Sequence, residues 1–298
     1  MSGARATVRR IDTALLRRWP LPLLAKNADK KARGDVLVVG GSRAMPGAVL
    51  LAGVAALRVG AGRVQVATAS EVTAALGVAF PEARMVALPT NRRGELAPTG
   101  AALLREHLDG CCTLLIGPGM LDHALASRIL RGARSATLDY TLVLDAAALR
   151  LLRGRKPFAL GARRDVIATP HAGEMADLWG CTRQEVEAAP LELARKAARS
   201  LNVTLVLKGV ETLVVTPAGE AYRNVAGNSG LATAGSGDTL AGLIAGLAAR
   251  GAEPAQAAVW GVALHAQAGE ALARRLGPLG YVARELATEV PALLERNS

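Results

Sequence analysis

Short runs of Val, Leu, Ile and Thr alternate along this chain with longer Ala- and Leu-rich stretches of helical character. Apolar runs of about four to eight residues closed by Gly, Pro or Asp read as buried strands, and longer periodic stretches read as helices. Strands are predicted at Asp35–Val39, Val64–Ala69, Thr113–Ile116, Thr141–Leu144, Asp165–Ala168 and Val203–Leu207. Helices are predicted at Ala48–Val59, Ala124–Leu130, Arg183–Ala198, Thr239–Ala249 and Pro254–Leu276. This order specifies an α/β fold in three layers, a mainly parallel central sheet with helices on both faces. Thr212–Thr216 and Ala221–Asn224, joined by Pro217-Ala218-Gly219-Glu220, read instead as a hairpin. Without repeats or low-complexity blocks, residues 34–298 are expected to form a single domain, preceded by a basic N-terminal extension over residues 1–33.

Composition narrows the function classes. The 298 residues are 51% hydrophobic but only 3% aromatic, so aliphatic helices must pack on aliphatic strands. The mean hydropathy of +0.25 raises the question of a membrane. No charge-free apolar run reaches the roughly 18 residues that spanning needs, and the best stretch, Leu231–Ala249, carries Asp238 and several glycines. Near the N-terminus, Leu21–Ala25 is too short and too broken by Pro22 to serve as a secretory signal core. Cys111, Cys112 and Cys181 form neither a disulfide framework nor a metal spacing, which fits a reducing compartment, so a soluble cytoplasmic protein is expected. A net charge of +11 suits an anionic ligand. The basic residues are scattered and stacking aromatics are scarce, so no nucleic-acid partner is expected.

Candidate chemistry gathers where the predicted strands end, the place where open α/β sheets bind ligands. Gly40-Gly41-Ser42, Gly117-Pro118-Gly119, Asp145, Thr169-Pro170-His171-Ala172-Gly173-Glu174 and Lys208-Gly209 each follow a strand. The sharpest element runs from Asn228 through Gly235-Ser236-Gly237-Asp238 into an apolar helix. Glycines allow close approach of the backbone, and a helix start presents unpaired N–H groups, together an anion hole for phosphoryl oxygens. Asp238 would either share that turn with the phosphate or simply cap the helix. No Walker A loop occurs, and Gly60-Ala61-Gly62 lacks the third glycine of a dinucleotide fingerprint. His171 either serves a ligand or bonds its own loop, and Glu174 is either a cap or a water-mediated metal contact. Asp145 stands behind the site or beside magnesium. Lys208 is either a phosphate ligand or a surface lysine. His107, His123 and His265 show no partner pattern.

These residues resemble the NAD(P)H-hydrate dehydratase family, a branch of the ribokinase-like fold. The stretches carrying the resemblance are Gly34–Val64, Ile116–Gly119, Val143–Leu149, Thr169–Met175, Leu207–Thr212, Gly227–Gly242, Leu264–Glu270 and Ala283–Pro291, about residues 30–295 in all. The resemblance implies an enzyme that moves a phosphoryl group from ADP, or from ATP, to the carbon-6 hydroxyl of the S-epimer of hydrated NADH or NADPH (NADHX or NADPHX). Phosphate then leaves and the cofactor is restored. By the same resemblance, Ala48, Gly119 and His171 would contact the hydrated dinucleotide, and Asp238 the reacting hydroxyl. Lys208, Gly209, Val210, Glu211, Thr212 and Gly237 would hold the adenine nucleotide, with Mg2+ as cofactor and a homo-oligomer as the assembly. An aspartate ordinarily titrates near pH 3.9, so Asp238 is expected to orient the hydroxyl and accept its proton late. Three departures stand out. Ala147 replaces the second acid of the family's Asp-Ala-Asp-Ala-Leu, and Ala32-Arg33-Gly34 stands for its His-Lys-Gly. The chain is also too short to include the epimerase domain of many relatives, so a separate epimerase is expected. The nearest competing reading is a kinase of the same fold acting on a vitamin-precursor alcohol.

Overall fold

The computed structural model describes residues 7–23, 29–132, 140–154 and 165–297. Arg5 and Lys26 lie outside them. The strands are β1 (Val8–Arg10), β2 (Asp35–Val39), β3 (Arg63–Ala69), β4 (Arg84–Leu88), β5 (Thr113–Ile116), β6 (Thr141–Leu144), β7 (Val166–Ala168), β8 (Thr204–Leu207), β9 (Thr212–Val215) and β10 (Ala221–Asn224). They form one sheet in the order β1-β10-β9-β8-β7-β6-β5-β2-β3-β4. From β4 across to β8 every pairing is parallel. The predicted hairpin is present, β9 pairing antiparallel with both β8 and β10.

Each central strand is buried on both faces because its side chains alternate between two helical layers. Val36, Val38, Leu115, Val143, Ile167 and Val206 point into one core, and Leu37, Val39, Leu114, Leu142, Leu144 and Leu205 into the other. The first layer contains α2 (Gly47–Arg58), α9 (Ser236–Ala249), α10 (Pro254–Leu276) and α11 (Ala283–Asn297). The second contains α5 (Ala124–Gly132), α6 (Ala172–Trp179) and α8 (Pro190–Leu201). The remaining helices are α1 (Thr13–Arg18), α3 (Thr73–Ala79), α4 (Arg105–Leu108) and α7 (Arg183–Ala188).

Glycines let α2 and α9 meet backbone to backbone. A Cβ at Gly242 would sit 2.1 Å from the Ala52 carbonyl oxygen, and one at Gly246 2.6 Å from that of Ala56. Gly242→Ala is therefore expected to lower stability by about 1–3 kcal/mol. The helix propensity gained from alanine, about 1 kcal/mol, does not offset a clash that only moving a whole helix relieves. A urea midpoint at or above that of the unchanged protein would contradict this account of the contact.

Two sequence expectations change. The predicted helix Arg183–Ala198 is two, α7 and α8, broken at Ala189 (φ −138, ψ 55). Pro190 has no N–H to continue the ladder and drives the residue before it out of the helical region. Part of the stretch read as an N-terminal extension also joins the sheet, β1 pairing parallel with β10. Leu15 and Leu16 of α1 are buried. Trp19 stacks on Tyr222 with ring centroids 5.6 Å apart, and its carbonyl accepts from Trp260 Nε1 at 2.8 Å. Among the described residues, no helix is long and apolar enough to cross a membrane.

Candidate active site

The sheet has its switch point between β2 and β5, since the chain runs from β2 outward through β3 and β4 before returning to β5. Turns at the carboxyl ends of these strands are packed too tightly for side chains. Gly41 N–H donates to the Pro118 carbonyl at 2.6 Å. A Cβ at Gly117 (φ +130) would lie 1.8 Å from the Asp145 carbonyl oxygen. At Gly119 (φ +69) a Cβ would lie 2.8 Å from the Cβ of Ala48, so the structure sets these two expected substrate contacts side by side.

Next to them is a cluster of charge. Lys208 follows β8, and its Nζ donates to Asp145 Oδ1 at 3.0 Å and lies 3.8 Å from Glu174 Oε2. Thr169 Oγ1 donates to the same Asp145 oxygen at 2.7 Å. Lys208 N–H donates to the Pro170 carbonyl at 2.8 Å, and His171 and Lys208 form a parallel bridge, which ties the two loops together. Lys208 is thus inward-facing and not a surface lysine. Burial favours its neutral form, but Asp145, Glu174 and Asp238 outweigh that and hold its pKa above the ordinary value.

His171 caps α6. Its Nδ1 accepts from the N–H groups of Gly173 at 3.0 Å and Glu174 at 3.2 Å, while Glu174 Oε2 accepts from His171 N–H at 2.8 Å. The two residues thus form a reciprocal capping box, with His171 Nε2 outside it and 3.6 Å from Glu174 Oε2. The His171 side chain remains 60% exposed.

Asp238 is not the cap of its helix. The last glycine-rich turn already belongs to α9, which begins at Ser236 with left-handed Gly235 (φ 86) at the cap position. Asp238 lies in the first helical turn, near the N–H groups that have no helical acceptor. Burial pushes its carboxyl up to about 7, Asp145 and Glu174 add to the shift, and Lys208 opposes it. The expectation that it accepts a proton only late rested on an ordinary carboxyl, and this one is far closer to neutral pH.

Two cavities open beside this cluster. One, of about 800 Å³, has Lys208, Gly209, Val210 and Thr212 on one wall and the loop from Asn228 to Gly237 on another. The second, of about 390 Å³, is bounded by Ala146, Ala147, Arg150 and Glu174. His171 lines both. Glu211 instead reaches away from the larger cavity toward Arg223, 3.4 Å distant. Another hollow, about 970 Å³ beside α8, shares no residue with these loops.

One residue that sequence reasoning passed over joins the site. His265 of α10 lines the larger cavity, with Nε2 2.9 Å from Ser236 Oγ. It carries no motif of its own, and only its position one residue before Ala266 in the Leu264–Glu270 run hinted at it.

A family model described as NAD(P)H-hydrate dehydratase matches residues 36–292. Over 296 residues the chain is 45% identical to the ADP-dependent (S)-NAD(P)H-hydrate dehydratase of Xanthomonas campestris pv. campestris, with 99% of each chain covered. A ribokinase-like superfamily protein from Enterococcus faecalis has a solved structure that matches with a TM-score of 0.83 and 26% identity, covering 98% of this chain and 96% of that one. The Bacillus subtilis ADP/ATP-dependent NAD(P)H-hydrate dehydratase, co-crystallized with ATP/Mg2+, matches with a TM-score of 0.82 and 28% identity, covering 98% and 99%. With its strand-end loops, its lysine–carboxylate cluster and this extent of similarity, the chain belongs to the NAD(P)H-hydrate dehydratase family, on a ribokinase-like fold.

Proposed function

We propose that this protein is an ADP-dependent (S)-NAD(P)H-hydrate dehydratase. The observation that carries the reading is the convergence of Asp238, with its raised pKa, on the charges of Lys208, Asp145 and Glu174, with His171 lining the two cavities beside that cluster. The larger cavity would take the adenine nucleotide, against Lys208, Gly209, Val210, Thr212 and Gly237, with Glu211 contributing its backbone. The hydrated dinucleotide would approach from the side of Ala48, Gly119 and His171. Lys208 and the first N–H groups of α9 would neutralise the phosphoryl oxygens, and such positioning with charge neutralisation is most of phosphoryl transfer catalysis.

In the reaction the carbon-6 hydroxyl attacks the terminal phosphorus of ADP, the bond to the bridging oxygen breaks, and AMP leaves. Asp238 holds the hydroxyl and takes its proton. Phosphate then leaves carbon 6 and a proton leaves carbon 5, which restores the ring double bond without any change of oxidation state.

Among the described residues, no three His, Cys, Asp or Glu side chains are grouped to hold a metal ion. That donor set fits magnesium arriving on the nucleotide, since the ion keeps several waters and binds phosphates with few protein ligands. Glu174 would face it through water, and the ion would offset phosphate charge.

Incubating hydrated NADH with the protein and magnesium, with ADP, with ATP or with neither, tests the reading. The near-ultraviolet absorbance of the dihydronicotinamide is expected to return with ADP, accompanied by AMP and phosphate, and not without nucleotide. Protein that binds nucleotide yet restores nothing with either one would overturn the dehydratase reading in favour of an alcohol kinase.

A further inference from the structure

The helix α10 grips the loop that closes the larger cavity. Gly261, His265 and Gly269 recur every four residues and so share one helical face. A Cβ at Gly261 would come within 2.6 Å of Ile244 in α9, and one at Gly269 within 2.7 Å of Leu231. Between these close approaches, His265 Nε2 lies 2.9 Å from Ser236 Oγ and 3.1 Å from the Ser236 carbonyl oxygen. Farther along, Glu270 Oε1 accepts from Gly227 N–H at 3.1 Å. The loop from 227 to 236 is therefore held at both ends by side chains of one helix.

The Ser236 hydroxyl can donate or accept, so the carbonyl contact is the one that discriminates between the two imidazole tautomers. A carbonyl oxygen can only accept, so a hydrogen bond at this 3.1 Å contact requires Nε2–H. Burial pushes His265 down to about 4; the bond to the Ser236 carbonyl works against this shift and the positive Lys208 adds to it. Ser236 is the first residue of α9 and stands two before Asp238. A turn of its peptide would therefore re-aim Gly237 and Asp238 together, along with the N–H groups of the helix start.

We propose that His265 is a positioning residue for phosphoryl transfer, its Nε2–H clamping the Ser236 peptide so that the glycine loop and Asp238 stay directed at the reacting groups. This inference rests on the dehydratase reading above. It makes no demand that the imidazole touch substrate or exchange protons. Its contribution is to remove a freedom at the Ser236 end of the loop that the anchors nearer its start, at Gly227, Asn228 and Leu231, leave open.

The test combines nitrogen NMR of the histidine side chains with kinetics of His265→Ala and His265→Gln. In the unchanged protein His265 is expected to be the neutral Nε2–H tautomer across neutral pH. His265→Ala should lose about 10²-fold in kcat, the scale set by a misplacement of roughly 1 Å, while its Kd for ADP weakens by less than that factor. Glutamine has an amide N–H that can reach the Ser236 carbonyl, so His265→Gln should regain most of the loss. A merely structural histidine would lower the melting temperature of both variants and leave kcat of the folded fraction unchanged. That result, an Nδ1–H tautomer, or a glutamine variant no better than alanine would overturn the inference. If His265→Ala does not fold, the tautomer and the glutamine variant still decide. Failure of the unchanged protein to restore hydrated NADH sinks the dehydratase reading itself, which separates the two failures.

Discussion

Asp238→Asn is expected to lower kcat for the dehydration of hydrated NADH by about 10²–10⁴-fold, the range a positioned general base contributes. Asparagine keeps the shape and a carbonyl oxygen but cannot take the hydroxyl proton as the new bond to phosphorus forms. The carboxyl stands at about 7, with burial the largest cause and the negative Asp145 the next. The basic form is needed, so kcat/KM of the unchanged protein should rise with pH through about 7. Asp145→Asn removes one of the charges that raise it and should carry this limb to lower pH. Stability moves the other way. A carboxyl raised on folding stabilises the protein fully only below its unfolded value, and that contribution is lost as pH rises through about 7. Asp238→Asn should therefore unfold at higher urea than the unchanged protein above neutral pH. An Asp238→Asn variant with undiminished turnover would remove this residue from the chemistry.

Lys208→Met is expected to lower kcat/KM by about 10²–10³-fold, comparable to losing one preorganised donor to developing negative charge. It should also cost stability. Asp145 is 4% exposed, and loss of Lys208 leaves it the hydrogen bond from Thr169. Breaking a buried pair by removing one partner costs about 3–5 kcal/mol. The lysine side chain is 19% exposed, so the lower end applies. The double variant Lys208→Met with Asp145→Asn removes both charges and separates the two effects. Urea unfolding should recover much of the lost stability, while kcat/KM with ADP stays low. Return of activity together with stability would show that Lys208 serves only to neutralise Asp145.

The parallel strands were legible because each is apolar on both faces, and the boundaries predicted at Thr113–Ile116 and Thr141–Leu144 are those of β5 and β6. Edge strands obey weaker rules. β1 is three residues with Arg9 and Arg10 exposed, so nothing in its local pattern marks it as part of a sheet. β4 is half exposed at the opposite edge and escapes for the same reason. The start of α9 was misplaced because Gly235-Ser236-Gly237 has poor helix propensity, which tertiary packing of the buried Ser236 and Thr239 overrides.

Taken alone, the sequence determined the layered α/β architecture, the turns at the strand ends, and the residue types that suit a phosphate. Those depend on period, on punctuation by Gly and Pro, and on chemistry carried within a few neighbouring residues. Only the tertiary structure decided that Asp145 and Lys208, separated by 63 positions, form one ion pair. It alone brought His265 to Ser236 across 29 positions, and placed His171 between two cavities. Such pairings follow from the order of strands and the docking of helices, which local pattern does not encode. The raised pKa of Asp238 belongs with them, because burial and the negative charges of Asp145 after β6 and Glu174 in α6 converge there only once the sheet is assembled.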